Sequence, residues 1–135
     1  MKITMASITV TDQEQALSFY TTKLGFVKKA DVQMGSLRWL TVASPEGADG
    51  VELILEKGDF PPARIYQQAR FSAGIPIVAF TSRDIQTEYQ KLKKAGVQFR
   101  GEPQPLGPII SAVFEDGCGN LVHLVQAVAS DTAVP

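Results

Sequence analysis

Apolar and polar residues alternate from Ile3 to Val10. Ala6, Ile8 and Val10 fall on one face and Met5, Ser7 and Thr9 on the other, the period of a half-buried strand. Thr11 or Asp12 then offers a short side-chain oxygen to the free N–H groups of a first helical turn. Ala16, Phe19, Tyr20 and Leu24 recur at helical spacing, and Gly25 is placed to end the helix. Three strands follow, at Phe26–Val32, Ser36–Ala43 and Val51–Glu56, separated by turn chemistry at Gln33–Gly35 and Ser44–Gly50.

The same order then restarts. Ile75–Ser82 reads as a strand, and Asp84 caps a helix through Lys94 that bears Ile85, Tyr89 and Leu92 and stops at Gly96. Strands are expected near Val97–Arg100, Ile109–Phe114 and Leu121–Gln126. ITVTD (8–12) overlays FTSRD (80–84) at a shift of 72, and VELIL (51–55) overlays VHLVQ (122–126) at a shift of 71. This is a duplicated βαβββ unit. It predicts one α+β domain over 1–135, with module one at about 1–57, a linker at about 58–74 and module two at about 75–128. The linker mixes Phe60, Tyr66 and Phe71 with Arg64 and Arg70. It reads either as a lid or interface element or as a connector with a short helical turn around Ile65–Ala69.

Composition narrows the function classes. The chain is 44% hydrophobic and 20% charged, with net charge −1 and no basic stripe, so no nucleic-acid partner is expected. No apolar run has the length of a membrane span, and the opening residues do not read as a signal peptide, so a cytoplasmic protein is expected. A single cysteine permits neither an internal disulfide nor a thiolate metal cluster. Cys118 lies between glycines in EDGCGN, which suggests a mobile, accessible but inert thiol. The turn's Gly and Asn are expected at positive φ.

ITVTDQEQALSFYTTKLGF and FEDGCGNLVHLVQ resemble the opening and close of the vicinal oxygen chelate superfamily, which includes glyoxalases, bleomycin resistance proteins and extradiol dioxygenases. The resemblance runs from residue 3 to about 127. It implies that the tandem modules form a curved, half-closed mixed-sheet cup with helices outside, and that the chain forms a homodimer. In the metalloenzymes of the family, ligands occupy four strand positions, which here hold Met5, Glu52, Ile77 and His123. The internal repeat independently aligns Glu52 with His123. Ile77 cannot ligate a metal and Met5 is a soft thioether, so two conventional donors remain where about three are needed. No metal or other cofactor is therefore expected. If a divalent metal were held, Glu52 and His123 would hold it.

Strand parity turns Glu52 and His123 into the cup, framed by outward-facing Leu53, Val122 and Leu124. Facing each other, they form either a candidate proton-transfer pair or a buried polar pair that only satisfies itself. Met5, Ser7, Trp39, Ile77, Ala79 and Ser111 are the candidate ligand-binding residues, with Thr9, Thr81 and Val113 completing the face. Trp39 suits stacking on a planar molecule, whereas Arg38 reads as a solvated strand-end cation. The leading expectation is a protein that binds or transforms a small apolar or aromatic molecule without a conventional metal. The alternatives are a metal-dependent glyoxalase-like lyase, isomerase or dioxygenase, and a non-catalytic homodimer with a filled cup.

Overall fold

A computed structural model describes residues 1–128; positions 129–135 of the expected domain lie outside the described residues. The chain runs β1 (Met5–Val10), α1 (Gln13–Ser18), a π-helical turn (Phe19–Lys23), β2 (Val27–Met34), β3 (Leu37–Ala43) and β4 (Glu52–Lys57). It continues through α2 (Pro61–Ser72), β5 (Val78–Thr81), α3 (Ile85–Lys94), β6 (Gln104–Leu106), β7 (Ile109–Glu115) and β8 (Leu121–Ala127). Two four-stranded mixed sheets result, with orders β1-β4-β3-β2 and β5-β8-β7-β6. β1 lies parallel to β4 and β5 parallel to β8, and the other pairs are antiparallel. The fold is therefore α+β with two βαβββ modules. Each sheet is a separate hydrogen-bonded unit.

Local chemistry sets the helix ends. Asp12 accepts from Gln15 N at 3.0 Å, and Asp84 accepts from Thr87 N at 3.1 Å. The Thr87 backbone and hydroxyl lower the carboxyl pKa of Asp84 from its ordinary value. α1 does not run on as a plain α-helix. Its π-helical turn adds a residue, so Leu24 N reaches Phe19 O at 3.3 Å and Phe26 N reaches Tyr20 O at 2.9 Å. The wider turn lets adjacent Phe19 and Tyr20 both pack inward.

Those rings join the modules. Tyr20 is fully buried with Ile8, Val10, Leu40, Val42 and Leu55, and Val78 and Phe80 of the second sheet pack against the same cluster. Phe80 meets Phe26 edge-on at 5.2 Å between ring centres, and Phe19 lies 6.2 Å from Phe114. Phe19 and Leu24 also touch the second cluster, built on Ile85, Leu92, Phe114 and Val122. The helix-side faces of both sheets thus share one interior, and their opposite faces are open.

Four expectations change. Val97–Arg100 is not a regular strand. Phe99 makes one bridge to Phe114, and the sixth strand is Gln104–Leu106, where Pro105 is tolerated because the strand lies at an edge. The linker is mostly α2, started by Pro61 and Pro62, rather than a loop with a short turn. Arg38 is no solvated strand-end cation. It bonds Asp31 at 2.8 and 2.9 Å and Glu14 at 2.7 Å, holding the Asp31 carboxyl down to about 2.

Cys118 is the fourth change: it is fully buried in the first core cluster, not mobile and accessible. Positive φ falls on Gly117 and Gly119, while Asn120 contributes its side chain instead. That turn surrounds the buried Asp116. Its carboxylate accepts from Tyr20 OH at 2.8 Å, Cys118 N at 2.7 Å, Asn120 N at 3.0 Å and Asn120 Nδ2 at 2.9 Å. Gln67 of α2 donates to Thr9 O at 2.8 Å and Asn120 Oδ1 at 3.1 Å, tying the linker helix to the same junction.

Gly119 has φ +94°, and a Cβ there would lie 2.8 Å from Gln67 Nε2. Gly119→Ala should lower unfolding free energy by at least about 1–2 kcal/mol in urea titration, from backbone strain alone. Burial, then the Asp116 charge, raises the Cys118 thiol from 9.0 to about 12, and the same two causes push Tyr20 well above its usual value. The fold holds both groups neutral; the contribution of Cys118 is complete below pH 9.0 and is lost as pH rises toward about 12, and Tyr20 adds an alkaline loss in the same direction. Cys118→Ala should flatten part of that alkaline loss in denaturation at stepped pH. Thiol reagents at pH 7 should label native Cys118 only as fast as the protein opens.

Candidate functional site

The open face of the first sheet is apolar. Met5, Val32, Met34 and Leu37 are each about half exposed, and Trp39 is half buried among them. The register puts Val32 opposite Trp39 and Met34 opposite Leu37, so these four belong to one face of β2 and β3. A monomeric surface seldom leaves large apolar side chains contiguous unless something covers them. On β4 the same face carries Glu52, Ile54 and Glu56, with Met5, Ser7 and Thr9 opposite them on β1.

Glu52 is fixed by β3. Thr41 donates its hydroxyl proton to Glu52 Oε1 at 2.5 Å while its oxygen accepts from Ala30 N at 3.1 Å. Thr41 is fully buried, so the carboxylate is held against the sheet by a side chain that cannot swing. Beyond Thr41 the β3–β4 ladder stops. Gln13 of α1 bridges the gap, donating to Arg38 O at 3.0 Å and Leu55 O at 2.9 Å. Neither Thr41 nor Gln13 was singled out from the sequence. Thr41 was visible by parity, since it alternates with Trp39, whereas Gln13 carried no signal.

On the second sheet His123 lies between Val113 of β7 and Ala79 of β5. Its Nε2 hydrogen-bonds Ser111 Oγ. Ala79, not Ile77, is opposite the histidine. Ile77 is half buried and packs against the core cluster of the first module, two residues out of the register that the repeat suggests. Ser7, Ala79 and Thr81 are exposed, and Ser111 and Val113 are half buried.

Within one chain Glu52 pairs with Thr41 and His123 with Ser111, on different sheets. The chain by itself does not bring the two together. The Ser111–His123 pair has the residue types of a nucleophile and base, but it sits inside a continuous β7–β8 ladder from Ile109 to Ala127. The neighbouring N–H groups are committed to that ladder, which leaves no oxyanion donors beside the serine. Among the described residues no group of three or more His, Cys, Asp or Glu side chains gathers as a metal site. No described helix is long and apolar enough to cross a membrane.

Two depressions border these faces. One, of about 350 Å³, is formed by the Ser44–Gly50 loop with Val27, Lys29 and Glu52. The other is a groove of about 830 Å³ between the modules, where Phe26, Pro45 and Phe80 meet Arg83 and Lys91.

The geometry is matched by known proteins. The sequence profile of the glyoxalase/bleomycin resistance protein/dioxygenase superfamily matches residues 2–124. The chain is 52% identical over 126 residues to the uncharacterized protein YurT of Bacillus subtilis (strain 168), covering 93% of this chain and 99% of that one. Among solved structures, UcmS2 superposes with a TM-score of 0.79 at 32% identity, covering 93% of this chain and 97% of the other. TnmS3, an antibiotic binding protein from Streptomyces sp. CB03234, superposes with a TM-score of 0.75 at 29% identity, over 95% and 97% of the two chains. Profile, sequence and fold agree over nearly the whole chain, and it belongs to the glyoxalase/bleomycin resistance protein/dioxygenase superfamily.

Proposed function

We propose that this protein binds a small, planar, largely apolar molecule in a cup formed by the open faces of the two sheets. The observation that carries this reading is the half-exposed apolar face around Trp39. A flat indole flanked by Val32, with methionines nearby, suits stacking on a ring system, because aromatic and thioether surfaces adapt to planar ligands at small entropic cost. The description of TnmS3 as an antibiotic binding protein supports the same reading. Binding rather than metal chemistry is favoured by the donor set, since Met5 lies opposite Glu52 and Ala79 opposite His123, and neither supplies a conventional metal ligand.

The cup is completed by a second copy of the chain. β1 and β5 stand at the ends of their sheets, and the apolar face of the first sheet is open. Exposed strand edges pair or are covered in stable proteins, and a symmetric dimer covers both at once. In such a dimer Glu52 of one chain is positioned to meet His123 of the other. That encounter would orient the imidazole and give a proton-transfer pair, the arrangement that a lyase or isomerase would use.

Three measurements test these statements. Titration with planar aromatic antibiotics should quench the emission of Trp39, the chain's single tryptophan. A broad panel that leaves both the emission and the melting temperature unchanged would remove the binding role. Light scattering at micromolar concentration should give twice the 14.6 kDa of one chain, and a monomer mass would refute the shared cup. Glu52→Gln should move the imidazole resonances of His123 in NMR spectra of the dimer, because the group facing the ring has changed. Unmoved resonances would show that the two side chains do not meet.

A further inference from the structure

We infer that the ligand of this cup is a planar aromatic cation, charged on its ring system or on an attached protonated amine, and that anionic aromatics are disfavoured; the inference rests on the binding reading above. It comes from which charges stand on the open faces. Glu52 and Glu56 alternate with Ile54 along β4, two turns of the pleat apart, on the face that holds Trp39 on the neighbouring strand. Their Cα atoms are separated by four residues of strand, roughly 13 Å, about the length of a fused three-ring system.

Neither carboxylate has an ion-pair partner among the described residues, where each recorded salt bridge joins other groups. Thr41 occupies one oxygen of Glu52, and among the described residues no donor reaches Oε2. No lysine or arginine stands on the open-face positions of β1, β3 or β4, or of β5, β7 or β8. Arg38 is turned toward α1, locked by Glu14 and Asp31. Lys29 and Asp49 both flank the loop end beside Glu52, where their charges offset each other.

An anionic ligand would therefore enter a site with two carboxylates outside any ion pair, where Lys29 of β2, at the loop end beside Glu52, is the nearby cation and Asp49 offsets it. A cation gains from both carboxylates and from the face of Trp39, the aromatic ring that attracts positive charge best. Confinement between sheet faces strengthens each term relative to open water.

The test uses three probes of similar ring size: 9-aminoacridine as cation, 9-(hydroxymethyl)anthracene as neutral and anthracene-9-carboxylate as anion. Affinities are read from Trp39 quenching and checked by calorimetry at low salt. The cation should bind at least about tenfold tighter than the anion. In the double variant Glu52→Gln with Glu56→Gln, the ratio of cation to neutral affinity within the same protein should fall by about fivefold or more. Glutamine at 52 still accepts the Thr41 hydrogen bond, so the sheet geometry is retained. An anion that binds as tightly as the cation, or a ratio unmoved by the double change, overturns the charge assignment while leaving aromatic binding intact. Failure of all three probes to bind overturns both.

Discussion

The architecture depends on one buried carboxylate. Asp116 sits where module two turns from β7 into β8, and it accepts the Tyr20 hydroxyl from module one together with two backbone N–H groups and the Asn120 amide. A carboxylate without partners in that position would cost several kcal/mol, because burial removes its hydration. Four donors replace the water, and one of them belongs to the other half of the chain. The modules are therefore joined by a directional polar contact as well as by apolar packing. Asn120 and Gln67 both donate to Thr9 O, which extends the same junction to the end of β1 and to the linker helix.

The junction has a consequence for function. By packing the helix-side faces against one another through Tyr20, Phe26 and Phe80, it turns both remaining sheet faces outward. A chain folded this way has two half-cups, with β1 and β5 at the ends of their sheets. The rigidity invested in the interior frees the outer faces to carry residues chosen for a ligand rather than for packing. Trp39, Glu52 and Glu56 stand there on strands whose other sides bury Leu40, Val42 and Leu55. Thr41 connects the two roles, fully buried yet bonded to the carboxylate that the open face presents.

Much of the fold was legible because each element has a local cause. Asp12 and Asp84 cap helices at equivalent places, Gly25 and Gly96 end helical segments at positive φ, and apolar alternation marks the strands. The errors arose where a long-range partner decides. Cys118 looked mobile between two glycines, but Asp116 pulls its N–H inward and buries the thiol. Arg38 looked free, yet it is clamped by Asp31 across the hairpin and by Glu14 from α1. Gln104–Leu106 was overlooked because Pro105 argues against a strand, and only its edge position makes that proline acceptable.

The sequence by itself determined the duplication, the helix and strand types, and the strand parity that turns Glu52 and His123 away from the helices. Those follow from periodicity and capping, which act over a few residues. Tertiary structure alone decided which polar groups meet. Glu52 faces Thr41, His123 faces Ser111, and the Met5–Glu52 and Ala79–His123 registers differ between the halves by two residues. Strand register is set by packing between elements far apart in the chain, and a shift of two residues keeps every side chain on its own face. Patterns of alternation are blind to such a shift, so the faces were legible from the sequence and the partners upon them were not.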